Sequence, residues 1–531
     1  MSTAQRVVSR IWKTILYVSL LVTPLRAQAA TINAASCSQT AVQAAINSAA
    51  GGDTVVIPAG TCVWTQTVNV GTQTGWSPAT FDTKAITIQG AGMDQTIIVD
   101  NVTKDKQDWP DLISPQVLII YTKTGGLSRL TGLTIYGGTG IADPYNKPIV
   151  VLGGPGTFWR IDHIHFRTTR APAMAIYSSG GVIDHSLFDL TNWKFGIYGY
   201  NGGDFYGDTA WTGTSPVGTS QPFFVEDNTF NASSIIAALD GWTGMRVVFR
   251  YNTLVNATIG NHGSESPGRN RSGRSMEIYN NKITITDPSY YYYAMGFRGG
   301  TGVVFNNSVT GNLPGNIIVA EYRDLFPFQP WGYCDGTGPF DGNDGVTYET
   351  GMHTGPQSVA VAEQLVLTDS TKNWTPNQWV GYSVLNVTKS AQSATISANT
   401  ANTVTMRVTS SSWGLPDLIW NTGDSYKILR ATVCLDQVGR GAGDLISGDT
   451  PTPQTWPHQT SEPVYAWSNT LNGSSANTGI VSNSPHVQEG RDFFNNTPRP
   501  GYTPYTYPHP LTLAGGGDTT PPSSPSNLRI R

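Results

Sequence analysis

Residues 249–254 read FRYNTL, and variants of this segment return along the chain. Most place Asn between two apolar residues at the end of a short strand-like run; the copies are RIDHIHF (160–166), VIDHSLF (182–188), VEDNTF (225–230), IYNNKI (278–283), VFNNSV (304–309) and AWSNTL (466–471). Up to residue 309, equivalent positions are 22 to 29 residues apart, except for one interval of 42. Such a period is typical of a solenoid, in which each coil buries its apolar face by stacking on its neighbours. The long interval holds either two coils or one coil with a long loop.

One slot of the repeat is a column of asparagines, Asn228, Asn252, Asn281 and Asn307. Asn tolerates the left-handed backbone of a tight turn, and its amide can stack on the coils above and below. We therefore expect the column to be structural. The slot before it holds His163 and His185, with His165 nearby, either as stacked surface imidazoles or as inward residues with satisfied hydrogen bonds.

The second slot of the repeat concentrates charge. It holds Asp162, Asp184, Glu226 and Arg250, then Tyr279 and Phe305. These side chains should point outward at the strand spacing of about 4.8 Å, where carboxylates repel unless a cation or an arginine neutralises them. Calcium binds several such oxygens, so Asp184 and Glu226 are candidate Ca²⁺ ligands, and Ca²⁺ is the one cofactor that the sequence suggests. The alternative is a solvated ridge that ends in an ion pair.

The composition indicates an exported protein. Charged residues are only 13% of the chain, Gly (58) and Pro (33) are abundant, and the net charge of -4 does not favour nucleic acid as a partner. A basic start, an apolar run at residues 15–22 and the sequence Ala27-Gln28-Ala29 predict a signal peptide over residues 1–29. No later stretch looks able to span a membrane. The expected location is secreted, periplasmic or on the cell surface.

Four cysteines suit that compartment. Cys37 and Cys62 flank a predicted helix over residues 40–49 and a first strand, so we pair them. Cys334 and Cys434 bracket a segment that breaks the repeat, so we pair these as well. Free thiols or a metal site are the alternatives, although the spacings are unlike those of zinc sites.

The repeat divides the chain into segments. After the signal peptide we expect a β-helix over residues 30–345, an inserted antiparallel β subdomain over 346–430 and a closing segment of the β-helix over 431–514. The Gly-, Pro- and Ser-rich residues 515–531 are predicted to be a linker or a truncated tail.

One loop gathers positive charge in this weakly charged chain. His262, Arg269, Arg271 and Arg274 lie within NHGSESPGRNRSGRS, and Glu277 follows. Arg298 comes one coil later. Arginine forks bind carboxylates bidentately, and aromatic rings that stack on sugars lie close in the sequence: Trp242, Tyr251, Tyr279 and Tyr290 to Tyr293. The pattern favours a groove for an acidic polysaccharide; the alternative is a loop held by internal salt bridges with Glu265 and Glu277.

The predicted cap helix, the segment GDTVVIPAGTC (52–62), the coil signature and the Asn column together resemble the right-handed parallel β-helix of the pectin-lyase-like superfamily. The resemblance covers residues 33–345 and 430–512, and it is loosely closest to alginate-lyase and chondroitinase types. It implies an all-β solenoid that acts on polysaccharides. The fold also carries hydrolases, epimerases and adhesins without enzymatic activity.

The leading hypothesis is a lyase that cleaves a uronic-acid polymer by β-elimination. His262 is the candidate base, because histidine ordinarily titrates near neutral pH. Arg274 and Arg298 would neutralise the substrate carboxylate, whereas a set of four residues would bind flanking sugars: Arg269, Arg271, Arg250 and Glu277. The chain departs from the resembled families, which often use Lys or Arg as the base, because the loop has no Lys.

Two rival hypotheses remain. A β-helical hydrolase would use Asp162, Asp184 and Glu226 as its carboxylates. A surface or matrix protein would bind glycans without any chemistry.

Overall fold

The computed structural model describes residues 29–513, apart from residues 75–79, 104–115, 138–147, 169–171, 191–194, 201–207, 264–270, 288–292, 322–346, 362–363, 381, 390–391, 408–418, 430–435, 443–458 and 484–486. In the described chain, 28 strands join into one large sheet, and their pairings are parallel. This architecture confirms the predicted all-β parallel β-helix. No helix among the described residues is long and apolar enough to cross a bilayer.

The coils build three faces. The first face contains Thr31–Asn33, Thr54–Val56, Thr87–Gln89, Val182–Asp184, Phe223–Glu226, Arg246–Arg250, Ser275–Tyr279, Thr301–Phe305, Val464–Trp467 and Phe493–Asn495. The second face contains Gly60–Trp64, Thr96–Asp100, Leu187–Leu190, Lys282–Ile285, Ser308–Gly311 and Thr470–Leu471. The third face contains Val68–Val70, Leu118–Tyr121, Val150–Gly153, Met174–Tyr177, Phe195–Gly199, Met295–Phe297, Ile318–Ala320 and Ile480–Ser482.

Four long strands turn a corner and contribute to two faces each. Ser128–Gly137 and Trp159–Thr168 pass from the first face to the second, whereas Thr229–Gly241 and Thr253–Asn261 pass from the second to the third. Alternate side chains of every strand point into the coil. The inward ones form apolar columns, such as Ile161, Ile183, Val225, Phe249, Ile278 and Val304, all fully buried.

The long sequence interval is one coil with a long excursion. Val182–Asp184 pairs directly with Phe223–Glu226, which places Asp184 beside Glu226. The residues between these strands include Phe195–Gly199 on the third face and the short helix Asp208–Thr212. The second-slot residues are therefore in register, as the repeat predicts.

The corner between the first and second faces differs from the expectation in one detail. The left-handed residue is the one before the asparagine, with φ of 57° at Asp227, Tyr251 and Asn280. His163 and His185 occupy this same left-handed position, with φ of 52° and 48°. The side chain of the following Asn makes hydrogen bonds to backbone groups of the turn. These bonds hold even a residue as bulky as Tyr251 in this backbone conformation.

The asparagine column itself is a hydrogen-bonded ladder. The Asn252 backbone N–H and Nδ2 both donate to Oδ1 of Asn281, at 3.0 and 3.1 Å. Nδ2 also donates to the carbonyls of Val225 and Arg250, each at 2.8 Å. The pattern repeats along Asn228, Asn252, Asn281, Asn307 and Asn469. Because these amides are buried, each one satisfies backbone groups that would otherwise lack partners.

An amphipathic helix lies at the N-terminal end of the described chain. Gln39–Ser48 begins after the N-cap Ser38, and Val42, Ala45 and Ile46 are its buried residues. A disulfide joins Cys37 to Cys62 on the second face, as predicted. Cys334 and Cys434 lie outside the described residues, and their pairing stays a prediction.

A separate six-stranded antiparallel sheet interrupts the solenoid. Its strands are Thr347–Met352, Gln364–Thr368, Ser383–Asn386, Gln392–Asn399, Thr403–Arg407 and Ser425–Leu429. They surround their own core, which includes Trp374, Trp420 and Tyr426. The solenoid resumes where Val464–Trp467 pairs with Thr301–Phe305. A small antiparallel pair, Thr72–Thr74 with Thr80–Asp82, and the helix Pro510–Leu513 complete the described elements.

Candidate active site

Four polar or aromatic side chains come together where third-face strands end. Trp242, His262, Arg298 and Glu321 each follow directly after a strand of this face. The pairings Gly241 to Asn261, Gly260 to Gly296 and Phe297 to Ala320 fix their register. The four residues therefore occupy equivalent positions of successive coils, and the backbones of neighbouring coils are about 4.8 Å apart.

His262 is held by Asp240 and Trp242. Its Nδ1 lies 2.9 Å from Oδ1 of Asp240, and Oδ2 of the same carboxylate accepts a 3.1 Å hydrogen bond from Nε1 of Trp242. The two rings stack with centroids 3.4 Å apart. A carboxylate only accepts, so Nδ1 carries the proton, and in the neutral ring the lone pair is on Nε2. The His262 side chain is 15% exposed, so it lies near the surface.

Arg298 is the neighbour of His262 on the next coil. Its backbone N–H donates to Oδ1 of Asn261 at 2.8 Å, and Nδ2 of Asn261 donates to the carbonyl of Gly299 at 2.9 Å. Its Nε donates to Oε2 of Glu321 at 3.0 Å. The side chains of Arg298 and Glu321 are 27% and 16% exposed. Two of the three predicted catalytic residues, His262 and Arg298, are therefore adjacent.

The third predicted catalytic residue, Arg274, is directed elsewhere. Its side chain is fully buried and pairs with Glu462 at 2.9 Å, beside the ring of Trp211. Arg271 is also fully buried, in a bidentate pair with Asp436 whose two bonds are both 2.8 Å. These burials correct the expectation that both arginines face a substrate groove. Arg269 lies outside the described residues.

A segment near the C-terminus covers the predicted ridge on the first face. We call residues 499–513 the C-terminal strap. Arg250 donates to the carbonyls of Tyr505 and Thr506 at 2.7 and 2.8 Å, and the backbone N–H of His509 donates to Glu226 at 2.7 Å. The rows of side chains beneath are consequently buried. The side chains of the second slot thus point out of the coil, as predicted. They are covered by the strap and are not exposed to solvent, which corrects the second part of the prediction.

Two residues predicted to bind substrate belong to this covered face. Arg250 is fully buried and pairs with Glu226 at 2.6 Å. Glu277 is 1% exposed and accepts hydrogen bonds from the Tyr502 hydroxyl and the Gly218 backbone N–H. Burial raises the pKa of Glu277 to about 7. Both residues are fully engaged in packing, which corrects their assignment to an open groove.

Asp184 and Glu226 do not fit a calcium site in this structure. Both are fully buried, and Arg160 binds both oxygens of Asp184 at 2.9 and 2.7 Å. Arg250 pairs with Glu226, and the backbone N–H of His509 in the strap donates to the same carboxylate. Burial nevertheless raises the pKa of Glu226 to about 7. Among the described residues, no group of three or more His, Cys, Asp and Glu side chains is arranged to hold a metal ion. Guanidinium groups take the place that a cation would fill.

The other histidines of the repeat are bound by carboxylates. Nδ1 of His163 lies 2.9 Å from Asp162 and Nδ1 of His185 lies 2.7 Å from Asp184, and the two imidazoles stack with centroids 5.5 Å apart. They are stacked, as one of the two sequence alternatives describes, but His185 is buried and does not lie at the surface.

His165 differs from these two because it bridges two carboxylates. Its ring nitrogens lie 2.9 Å from Asp94 and 2.9 Å from Asp189. Burial lowers the pKa of His165, but the two carboxylates outweigh it and the net shift is upward.

Three of the described aromatic rings predicted to stack on sugars are covered on at least one face. The ring of Trp242 is covered by His262, that of Tyr251 by Tyr507, and that of Tyr279 by Phe305. Of Tyr290 to Tyr293, only Tyr293 is among the described residues, and its hydroxyl lies 3.5 Å from Glu321.

Sequence reasoning missed Asp240, which orients His262. A signal for it was present: the segments LDGW (239–242) and IGNH (259–262) lie at the ends of consecutive third-face strands and align from Leu239 and Ile259 onward, after a register shift. That alignment places His262 beside Trp242 and Asp240 opposite Gly260. The repeat was instead aligned on the first-face strands.

The fold defines the class of this protein as an all-β parallel β-helix. No protein-family profile and no curated protein matches the chain. Among solved structures, the chain is similar to one described as "Geobacillus virus E2 - ORF18", with 14% identity over 73% of this chain and 79% of that chain and a TM-score of 0.28. A likeness this weak carries no argument about function.

Proposed function

We propose that the chain is an exported enzyme of the pectin-lyase-like superfamily that cleaves a uronic-acid polysaccharide by β-elimination at His262. The observation that carries this proposal is the pair formed by Asp240 and His262, with Arg298 one coil away. The pair supplies an oriented base, and Arg298 supplies a cation on the neighbouring coil, whose backbone is about 4.8 Å away. A polymer would lie along the third face, across successive coils.

The reaction needs two groups that this site offers. Nε2 of His262 takes the proton from the carbon next to the uronate carboxylate, and the electrons of that C–H bond form the new C=C bond. The glycosidic C–O bond then breaks with its electron pair, and the leaving oxygen takes a proton from the imidazolium or from water. Arg298 binds the uronate carboxylate and stabilises the negative charge that develops beside it.

Asp240 and Trp242 act as positioning residues in this scheme. Asp240 fixes the tautomer of His262 and stabilises the imidazolium that forms. Trp242 limits the rotation of both by its hydrogen bond and its stacked ring. Neither needs to contact the sugar.

The test is a panel of uronate polymers followed by ultraviolet absorbance of unsaturated ends and by a reducing-end assay. A lyase forms both signals. His262→Ala should lower kcat by roughly a hundredfold or more, the usual contribution of a general base, while leaving polymer binding intact. Asp436→Asn, outside the proposed site, serves as a variant for separating loss of folding from loss of chemistry. Reducing ends without unsaturated ends would contradict the proposal, and a chelator arm measures any contribution of calcium.

A glycan-binding protein without chemistry is the second candidate. One observation supports it: Arg298 is a partly exposed guanidinium that can bind a uronate without any reaction, whereas Arg271 and Arg274 are paired internally. Binding of a uronate polymer with no product of either kind would select it. The hydrolase alternative loses its basis, because Asp162, Asp184 and Glu226 are buried.

A further inference from the structure

The ion pair between Arg298 and Glu321 lies inside the proposed site. Its geometry is that of a guanidinium bound to a carboxylate, with Nε donating to Oε2 at 3.0 Å. A uronate carries the same planar carboxylate. The side chain of Glu321 therefore holds the position at Arg298 that the substrate carboxylate would take.

The charges in the site favour one carboxylate at a time at this position. Asp240 and Glu321 are carboxylates of this site, and Arg298 is the arginine paired with Glu321. A third carboxylate that enters while Glu321 stays would meet repulsion from both acids. Its binding is therefore favoured when Glu321 leaves Arg298.

The two partners are not held equally firmly. Asn261 fixes the backbone on both sides of the Arg298 side chain, through the N–H of Arg298 and the carbonyl of Gly299. Glu321 is held by its backbone N–H, which donates to the carbonyl of Phe297 at 2.8 Å, and its partly exposed carboxylate also accepts a 3.5 Å hydrogen bond from the Tyr293 hydroxyl. A partly exposed ion pair can be exchanged at lower cost than a fully buried one. Loss of Glu321 from the pair leaves the backbone that carries Arg298 fixed by Asn261.

We propose that Glu321 is a specificity-determining residue that occupies Arg298 in the absence of substrate and yields it only to a substrate carboxylate. This inference rests on the proposed function, since it concerns the same site. Neutral sugars cannot replace the charge of Glu321 and so leave the pair closed. Uronates exchange one carboxylate for another and open it.

The experiment compares Glu321→Gln with its parent, both in a His262→Ala background so that bound oligosaccharide is not consumed. The probes are trisaccharides of galacturonate, mannuronate and glucuronate, and their carboxyl-reduced counterparts, titrated by calorimetry. The amide keeps the size of Glu321 and removes its charge, so at least one uronate should bind roughly tenfold tighter, a change of about 1.4 kcal/mol. The reduced sugars should show no such gain.

A matched control is Glu349→Gln in the inserted sheet. Glu349 pairs with Lys372 at 2.9 Å, and the two side chains are 24% and 21% exposed, close to the values for Glu321 and Arg298. It should not change uronate affinity, and equal unfolding temperatures of all variants exclude loss of folding as the cause.

The outcomes separate this inference from the proposed function. If Glu321→Gln binds no uronate more tightly than its parent, the inference is overturned, whether or not the wild-type protein forms unsaturated ends. If affinity rises while the wild-type protein forms no product, the role of Glu321 in selection stands and the lyase assignment fails. A gain of equal size for the reduced sugars also overturns the inference.

Discussion

The hydroxyl of Tyr502 donates a 2.6 Å hydrogen bond to Oε2 of Glu277, joining residues that are 225 positions apart. The other oxygen of Glu277 accepts from the backbone N–H of Gly218 at 2.8 Å. One buried carboxylate thus connects the C-terminal strap, a first-face strand and the long excursion. Arg250 and Arg499 are the nearby positive charges, and they offset only part of the effect of burial on the pKa.

This carboxylate should make stability depend on pH. Burial raises the pKa of Glu277 from 4.5 to about 7, so the folded protein binds more protons than the unfolded chain between these values. The stabilisation is therefore complete below about pH 4.5 and is lost as the pH rises to about 7, by at most about 3 kcal/mol. Urea unfolding from pH 4.5 to 8 measures the slope.

Glu277→Gln should reduce that slope. Glu226, whose pKa is also raised to about 7 by burial against the opposing charge of Arg250, should account for a remaining part. An identical pH profile for the wild-type protein and Glu277→Gln would show that folding does not raise the pKa of Glu277.

The asparagine ladder should be sensitive at its interior. Asn252→Ala removes several buried hydrogen bonds of about 1 kcal/mol each and leaves backbone carbonyls unpaired, so we expect a loss of roughly 3 kcal/mol in the free energy of unfolding. Asn231→Ala is the control, because this partly exposed residue makes one 3.2 Å bond to Asp189. Chemical denaturation compares the two, and equal losses would argue against a ladder that holds the coils together.

Arg274→Lys should lower stability even though the charge is kept. Arg274 is fully buried between Glu462 and the ring of Trp211, and lysine lacks the planar fork that bonds both oxygens of Glu462. We expect a loss of about 2 kcal/mol, as for other buried hydrogen bonds to charged groups. Arg491→Lys, whose side chain is 29% exposed, should change stability by about 0.5 kcal/mol or less. Matching thermal unfolding curves for both variants would refute a structural role for Arg274.

The disulfide should stabilise the capped end of the solenoid. Replacing Cys37 and Cys62 by serine frees a loop with a sequence separation of 25, which costs about 3 kcal/mol by the chain-entropy estimate. The wild-type protein should lose a similar amount when this disulfide is reduced. Any effect of reductant that remains in the serine variant belongs to the predicted Cys334–Cys434 pair, and an equal effect in both proteins would contradict a stabilising role for Cys37–Cys62.

The repeat predicted the fold because its signal is local. A segment such as FRYNTL carries the inward residue, the turn and the asparagine of its coil within six positions. The coil can therefore be recognised without knowledge of residues that are distant in the sequence. The register of Asp162 with Asp184 and of Glu226 with Arg250 followed from the same alignment and is observed. The interval of 42 residues left the adjacency of Asp184 and Glu226 open, and the structure shows that they are paired. The left-handed residue was placed one position late, since Asn acts through its side chain on the turn before it.

The site was harder to predict because the partners of its charges are remote. Arg274 meets Glu462 at a separation of 188 residues, and Arg271 meets Asp436 at 165. No local pattern shows that a loop rich in arginine is neutralised by acids from beyond an inserted sheet. His262 and Arg298 lie together because both end third-face strands, whereas Arg274 begins the return to the first face.

The C-terminal strap changes how the solenoid can fold. Coils that contact only their neighbours could form one after another as the chain is synthesised. Here Arg160 donates to the carbonyl of Thr512, which is 352 residues away in the sequence, and Glu226 accepts a hydrogen bond from the backbone N–H of His509. Residues 499–513 cross the first face and cover these charges. Because their hydrogen bonds join coils that do not contact one another, we expect these coils to unfold more cooperatively than contacts between neighbours alone would make them.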